Sequence, residues 1–447
     1  MNDQLPGPLL ASVSYLQRWR GLGLPARLYL IHAALLTTSL AIVGLLFNLA
    51  VLALGFSLDF LGLLNTVSFV AAALLSVPLL WLVTHMSLRL ALLVSAMLQC
   101  ASVLLLALVP SAPGLLVAGA LGGAAAVLFQ VSAPPFMMRH SDDTTRDHLF
   151  SANAAILIGL AGMGSLVAGQ LPGLAARLLG VGAESALAYR AAFAVAGVGL
   201  GFALLPLLLL PKEGNRESGR QGDRLASEAI SLIEKQSPIQ NLTSKIPPAW
   251  RELARHPIPL LKLLLSPALI SIGAALLIPY LNLFFKQRFA VADDLLGIIF
   301  AALGLVTALA ALAGPALSAR LGKIHAIVLT QALALPFLAL MGSAPMLGVV
   351  VGAALVRAAL FNLGTPLYDA FAMERTDESA RPAVIGLING ASSIGYAFAP
   401  IVSTRIQAAY GFTPLFVVTL VCYALAVLAK YWFFARAPVE QPSSNSV

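Results

Sequence analysis

Twelve stretches of this chain are each long and apolar enough to cross a bilayer, and no other feature narrows its possible folds so far. Crossing takes roughly 17–25 residues with few charges. Such runs occur at 28–54, 61–83, 90–109, 115–137, 149–171 and 191–210, and again at 259–285, 295–318, 326–342, 346–372, 383–404 and 415–434. In hydrocarbon every backbone N–H and C=O must be satisfied inside the protein, so a span is a helix or a strand of a closed barrel. Barrel strands alternate apolar and polar residues, whereas these runs are continuously rich in Leu, Ala, Val and Gly. The expected fold class is an all-α integral membrane protein of twelve transmembrane helices. The first run is too long for a signal-peptide core and has no small-residue cleavage site behind it, so it is expected to be retained.

Charge fixes the orientation and removes other functions. Only 10% of residues are charged, with a mean hydropathy of +0.91, against about a quarter charged in soluble domains. The net charge of +8 is spread over short segments between the runs, with no aromatic-basic cluster, so no nucleic-acid partner is expected. Counting Lys and Arg in the short loops alone gives 12 on the side of the N-terminus against five on the other, with Arg357 the one basic residue assigned to a helix. Both termini and the central linker are therefore expected to be cytoplasmic, in the cytoplasmic membrane of a bacterium. Cys100 and Cys422 both fall in apolar runs and read as small packing residues. No metal or cofactor site is expected. An enzyme is not expected either, since no HExxH, P-loop, paired intramembrane carboxylates or Ser/His/Asp set occurs.

The chain also repeats itself. Phe129–Pro134 reads FQVSAP and Phe361–Pro366 reads FNLGTP, at an offset of 232. Asp59-Phe60-Leu61-Gly62 matches Asp294-Leu295-Leu296-Gly297 at 235, and Met138–Arg146 matches Met373–Arg381 at the same offset. Asn48 and Asn282 lie 234 apart. A constant offset is what a duplicated six-helix unit produces. The expected organisation is a cytoplasmic N-terminal segment (1–27), a six-helix bundle (28–210), a cytoplasmic linker (211–258), a second bundle (259–434) and a cytoplasmic tail (435–447). In the linker, Leu225, Ala229, Leu232 and Ile233 share one helical face, predicting a short amphipathic helix on the membrane surface.

Six spans, a long cytoplasmic linker and six more spans resemble the major facilitator superfamily of secondary transporters. GPALSARLGK at 314–323 is similar to that family's Gly-x-x-x-Asp-Arg-x-Gly-Arg/Lys loop, with Ala319 in place of Asp. GLAGMGSLVAG at 159–169 resembles its glycine-rich antiporter motif, with Ser165 in place of Pro. The resemblance implies two bundles that rock about a midplane cavity lined by helices 1, 4, 7 and 10, a monomer, and drug-efflux-like export.

Buried polar groups on those helices are the candidate substrate contacts: Gln130 and Asn362 on helices 4 and 10, and Asn48 and Asn282 on helices 1 and 7. Each amide could instead bond across a helix contact. Arg357 lies some 16 Å into a core of about 30 Å, at a depth where an unpartnered guanidinium is costly. It is a candidate for an anionic or hydrogen-bond-accepting substrate group. His32 and Asp369 are the candidates for proton coupling. The resemblance implies a cytoplasmic gate in which Arg320 and Lys323 meet Glu374, Asp377 or Glu378, and Arg89 meets Asp142 or Asp143. Ser141 and Thr376 with the acids behind them read equally as N-caps of the following helices, as do Asp59 and Asp294. The expected function is secondary transport of a small organic solute by alternating access, foremost efflux of amphipathic compounds, with the lipid bilayer as surroundings and protons as a coupling ion. The alternatives are an organic-anion carrier built on Arg357 and, outside transport, a lipid scramblase or non-transporting receptor.

Overall fold

A computed structural model describes residues 22–142, 145–211, 257–376 and 381–436. The linker helix, the gate residues Asp143, Asp377 and Glu378, and most of the two terminal segments lie outside the described residues. What is described is helical and contains no strand. The first six helices are α1 (Leu24–Ala53), α2 (Leu58–Thr84), α3 (Leu88–Leu108), α4 (Ala112–Arg139), α5 (Arg146–Leu179) and α6 (Ala186–Leu208). After the linker, α7 runs Pro257–Leu277, tightens into a 3₁₀ turn at Ile278–Tyr280 and resumes at Leu281–Phe289. Then come α8 (Asp293–Leu321), α9 (Lys323–Ser343), α10 (Leu347–Glu374), α11 (Arg381–Tyr410) and α12 (Thr413–Lys430), which continues as a π turn at Tyr431–Ala435.

All twelve expected helices are present, and among the described residues eleven are long and apolar enough to cross a membrane. The twelfth, α11, has the length at 30 residues. The helices overrun the apolar runs at their ends. In α5 the run stopped before Pro172, yet the helix continues through it to Gly180, whose left-handed φ of 69° ends the helix. Proline inside a span is tolerated where neighbouring helices re-satisfy the freed carbonyl. Ser87, Ser111 and Ser185 cap α3, α4 and α6 by accepting N–H bonds from Leu90, Gly114 and Ala188, which supplies acceptors for the free first-turn donors.

The helices form two compact units. One holds residues to 56, 67 to the end of α6, and 291–304; the other holds 57–66, α7 to 290, and 305 onward. In the first unit α1 lies against α5 and α6, and α3 against α4 and α6. In the second, α7 lies against α11 and α12, and α9 against α10 and α12. The cores repeat at the sequence offset too: Leu92, Phe136 and Leu149 are buried in one, and Ile327, Phe371 and Val384, each 235 later, in the other. Each unit's first helix is tied to its last by a polar side chain on a carbonyl: His32 Nδ1 lies 2.8 Å from Ala203 O, and Ser266 Oγ donates to Ala426 O at 3.1 Å.

The hydroxyls of Ser141 and Thr376 are engaged by the helices that precede them. Each turns back, donating to the carbonyl four residues earlier, Met137 and Ala372. The free carbonyls at a helix C-terminus attract the hydroxyls as well as the free N–H groups downstream would. The capping acceptor is Asp142, whose Oδ1 takes both the N–H and the hydroxyl of Thr145 at 2.8 Å. Asp294 accepts from the Leu295 N–H, while Asp59 lies 4.0 Å from Arg405 and the oxygen capping α2 comes from Ser57.

Candidate functional site

The second unit contains a cavity of about 150 Å³. Its walls come from residues spaced along single helix faces: Pro267, Ile270, Ser271 and Ala274 of α7, then Phe361, Tyr368 and Asp369 of α10, then Ile388, Ser392 and Tyr396 of α11. Steps of three, four and seven residues put side chains on one side of a helix, so the cavity is written into the chain as three helical stripes. Gln331 of α9 and Lys430 of α12 complete it.

Lys430 is the most unusual member. It is 2% exposed, its Nζ donates to Gln331 Oε1 at 2.6 Å, and it lies 4.9 Å from the centroid of the Tyr368 ring. Tyr368 is itself fixed, donating its hydroxyl to the Leu263 carbonyl at 2.6 Å. Sequence reasoning placed Lys430 among the cytoplasmic-side charges and left Arg357 as the one basic residue in a helix. The structure corrects this: Lys430 is the last residue of α12, with Tyr431–Ala435 carrying the helix on as a π turn beyond it. The signal was present, since the apolar run continues through Tyr431, Trp432 and Phe433 after the lysine.

Arg357 is buried, 8% exposed. Its Nη2 donates to the Tyr423 hydroxyl at 3.0 Å, and its guanidinium lies 5.1 and 5.6 Å from the ring centroids of Phe361 and Tyr423. Those two rings stack at 4.4 Å and 19°. Its Nε has no acceptor among the described residues. Arg357 therefore stands behind Phe361, which lines the cavity. Asn362 Nδ2 donates to the Ala358 carbonyl of its own helix, and neither it nor Asn282 lines the cavity. Asn282 is buried where α7 resumes, and its Oδ1 accepts from the Leu283 N–H. In the first unit Asn48 is buried and Gln130 exposed. His32 is enclosed completely between the Ala203 carbonyl and the Phe129 ring, whereas Asp369 is half-buried and lines the cavity.

The first unit has a larger hollow of about 430 Å³ at the ends of its helices, with Gln170, Arg177, Glu184, Asp293 and Asp294 in its walls. Asp293 there accepts the Tyr189 hydroxyl at 2.9 Å.

Residues 29–281 match the family model of the Major Facilitator Superfamily, and residues 263–447 match it again. The chain belongs to the major facilitator superfamily. It is accordingly a secondary transporter and not an enzyme. Among solved structures it resembles a D-xylose–proton symporter (TM-score 0.69, 15% identity, 91% of this chain and 97% of that one). It also resembles a bacterial homologue of the human lysosomal transporter Spinster, inward-facing and unoccupied (0.71, 17%, 91% and 97%). A third is the nucleoside transporter NupG (0.62, 16%, 92% and 98%). At these identities the likeness is one of fold. No curated protein matches the chain.

In the loop that resembles the facilitator motif, Lys323 pairs with Glu374, fastening the start of α9 to the end of α10. Arg320 is exposed. Arg89 does not meet Asp142. Its Nε and Nη2 donate to the carbonyls of Leu207 and Leu208 at 3.2 and 2.7 Å, because the free carbonyls at the end of α6 offer a guanidinium fork two acceptors at once.

Proposed function

We propose that this facilitator exports small amphipathic organic solutes by alternating access, and that the cavity of the second unit holds part of the solute. The observation that carries this is the make-up of the cavity walls. Pro267, Ile270, Phe361 and Ile388 give apolar and aromatic surface, with a few polar groups at fixed places among them. Sites for drug-sized molecules have that composition, the apolar area supplying affinity and the polar groups orientation. The export direction rests on the glycine-rich stretch of α5. That stretch resembles the family's glycine-rich antiporter motif, with Ser165 in place of Pro, and its Gly162 and Gly169 pack closely on the backbone of α8. Asp369 is the acid best placed to exchange a proton with the cavity, and Arg357 stands behind the Phe361 ring in the same wall.

The test is efflux of a panel of amphipathic dyes from proteoliposomes holding the full chain, with and without an imposed proton gradient. Gradient-dependent efflux of at least one dye, lost on Phe361→Ala, is the expected result. Transport of none of the panel, with a polar sugar or nucleoside carried instead, would defeat this reading.

A further inference from the structure

The cavity presents two side chains of opposite sign, and among the described residues neither is paired with a charge. Lys430 carries three N–H donors. One is taken by the neutral Gln331 amide, and the Tyr368 ring lies beneath the group. Asp369 forms no hydrogen bond or ion pair among the described residues, and none with Lys430, although both line the same cavity. A charged group in a membrane helix is costly unless a partner or water meets it, and an unpaired buried charge costs more than a paired one. An anion seated on Lys430 alone would leave Asp369 unanswered and add repulsion. A cation seated on Asp369 alone would leave Lys430 unanswered.

We infer that the cavity of the second unit takes an amphoteric solute, in which an amine meets Asp369 and a carboxylate or equivalent anion meets Lys430. The inference rests on the transport reading above and narrows its substrate class. A cavity of about 150 Å³ is the size that admits a benzene-sized body. Phe361, Tyr396 and Ile388 provide the surface for that body. Ser271 is already engaged, accepting the Gly395 N–H at 3.0 Å, so the two charged ends fall to Lys430 and Asp369. Arg357, held by Tyr423 on the far side of Phe361, adds long-range attraction for the anionic end without touching it.

The test uses the full chain in nanodiscs and three probes: 4-(aminomethyl)benzoate, benzylamine and 4-methylbenzoate. Titration calorimetry is expected to show the first binding about tenfold or more tightly than either half, since each added charge gains a charge-assisted hydrogen bond. Lys430→Met should abolish the preference for the amphoteric probe over benzylamine. Asp369→Asn should lower the amphoteric probe to the level of 4-methylbenzoate. Should Lys430→Met not fold, Asp369→Asn and Lys430→Arg still decide, the latter keeping the preference. Equal affinity for all three, binding of none, or a preference unchanged in the variants would overturn the inference. Dye efflux that persists alongside any of those results would leave the export reading standing.

Discussion

Arg357 and Tyr423 are joined by a hydrogen bond of 3.0 Å, and the ring of Tyr423 also stacks on Phe361, which the guanidinium overlies. One arginine, one tyrosine and one phenylalanine thus make a single assembly between α10 and α12. Tyr423→Phe keeps the stack and removes the acceptor. Losing a hydrogen bond to a charged group should cost about 1.5–3 kcal/mol, read as a lower thermal midpoint. Arg357→Met should then cost less in the Tyr423→Phe background than in the parent, because the pair is coupled. Strict additivity would mean that the bond contributes nothing. Arg357→Lys keeps a charge but not the planar fork that overlies the Phe361 ring, so that cavity wall loses support and efflux should fall even where folding is retained.

The Lys430–Gln331 contact gives a second test of how buried charge is carried. Gln331→Leu removes the only hydrogen bond formed by Lys430 among the described residues. It should destabilise the protein by about 1.5–3 kcal/mol. The double variant Gln331→Leu/Lys430→Met should recover much of that loss, since two apolar side chains replace a broken polar pair. A double variant less stable than the single one would show that Lys430 is satisfied by something other than Gln331.

Glycine substitutions should change sign with position. At Gly297 an added Cβ would lie 2.5 Å from the Ser165 carbonyl and 2.9 Å from Gly169 Cα. Gly297→Ala must therefore push α8 off α5, and should destabilise by about 1–3 kcal/mol. Gly62, its counterpart 235 residues earlier, meets α11 as closely, with Thr404 Oγ1 and the Pro400 carbonyl in the way. Gly159 has open space around it, so Gly159→Ala should stabilise by up to about 1 kcal/mol through helix propensity. Thermal unfolding of Gly297→Ala and Gly159→Ala checks this, and matching shifts would refute the close approach.

These glycines also show what the sequence could and could not tell. Gly62 and Gly297 fell at matching offsets, so the duplication was legible before any contact was known. The same offset then reappeared in the buried triplets Leu92–Phe136–Leu149 and Ile327–Phe371–Val384, because both copies keep the same helix faces inward. Partner choice was not legible. Arg89 went to backbone carbonyls rather than to Asp142, and the hydroxyls of Ser141 and Thr376 donate to carbonyls of the preceding helix, since a helix end offers free acceptors and free donors within a few residues of each other. The cavity was half legible. Asp369 could be named from its helix, but Lys430 sits near the end of an apolar run, and placing it inside the helix required reading the apolar Tyr431, Trp432 and Phe433 as a continuation of that helix.

Among the described residues, Lys323–Glu374 is the expected gate pair that forms. Its side chains are 31% and 61% exposed, so its worth in stability is small, about 0–1 kcal/mol. A free energy of that size still shifts a two-state population severalfold. Lys323→Glu places like charges together at the end of α10 and should loosen the fastening there. In a Cys100→Ala/Cys422→Ala background with Ser392→Cys as reporter in the cavity wall, maleimide labelling should rise by about two- to fivefold. The melting temperature should hardly move. Reversing the pair with Lys323→Glu/Glu374→Lys should restore slow labelling, because attraction returns with the charges exchanged. If labelling stays at the parent rate in the single variant, the pair only fastens two helix ends and has no part in gating the cavity. If the single variant labels faster and the exchanged pair does not recover, the effect comes from Lys323 acting on something other than Glu374.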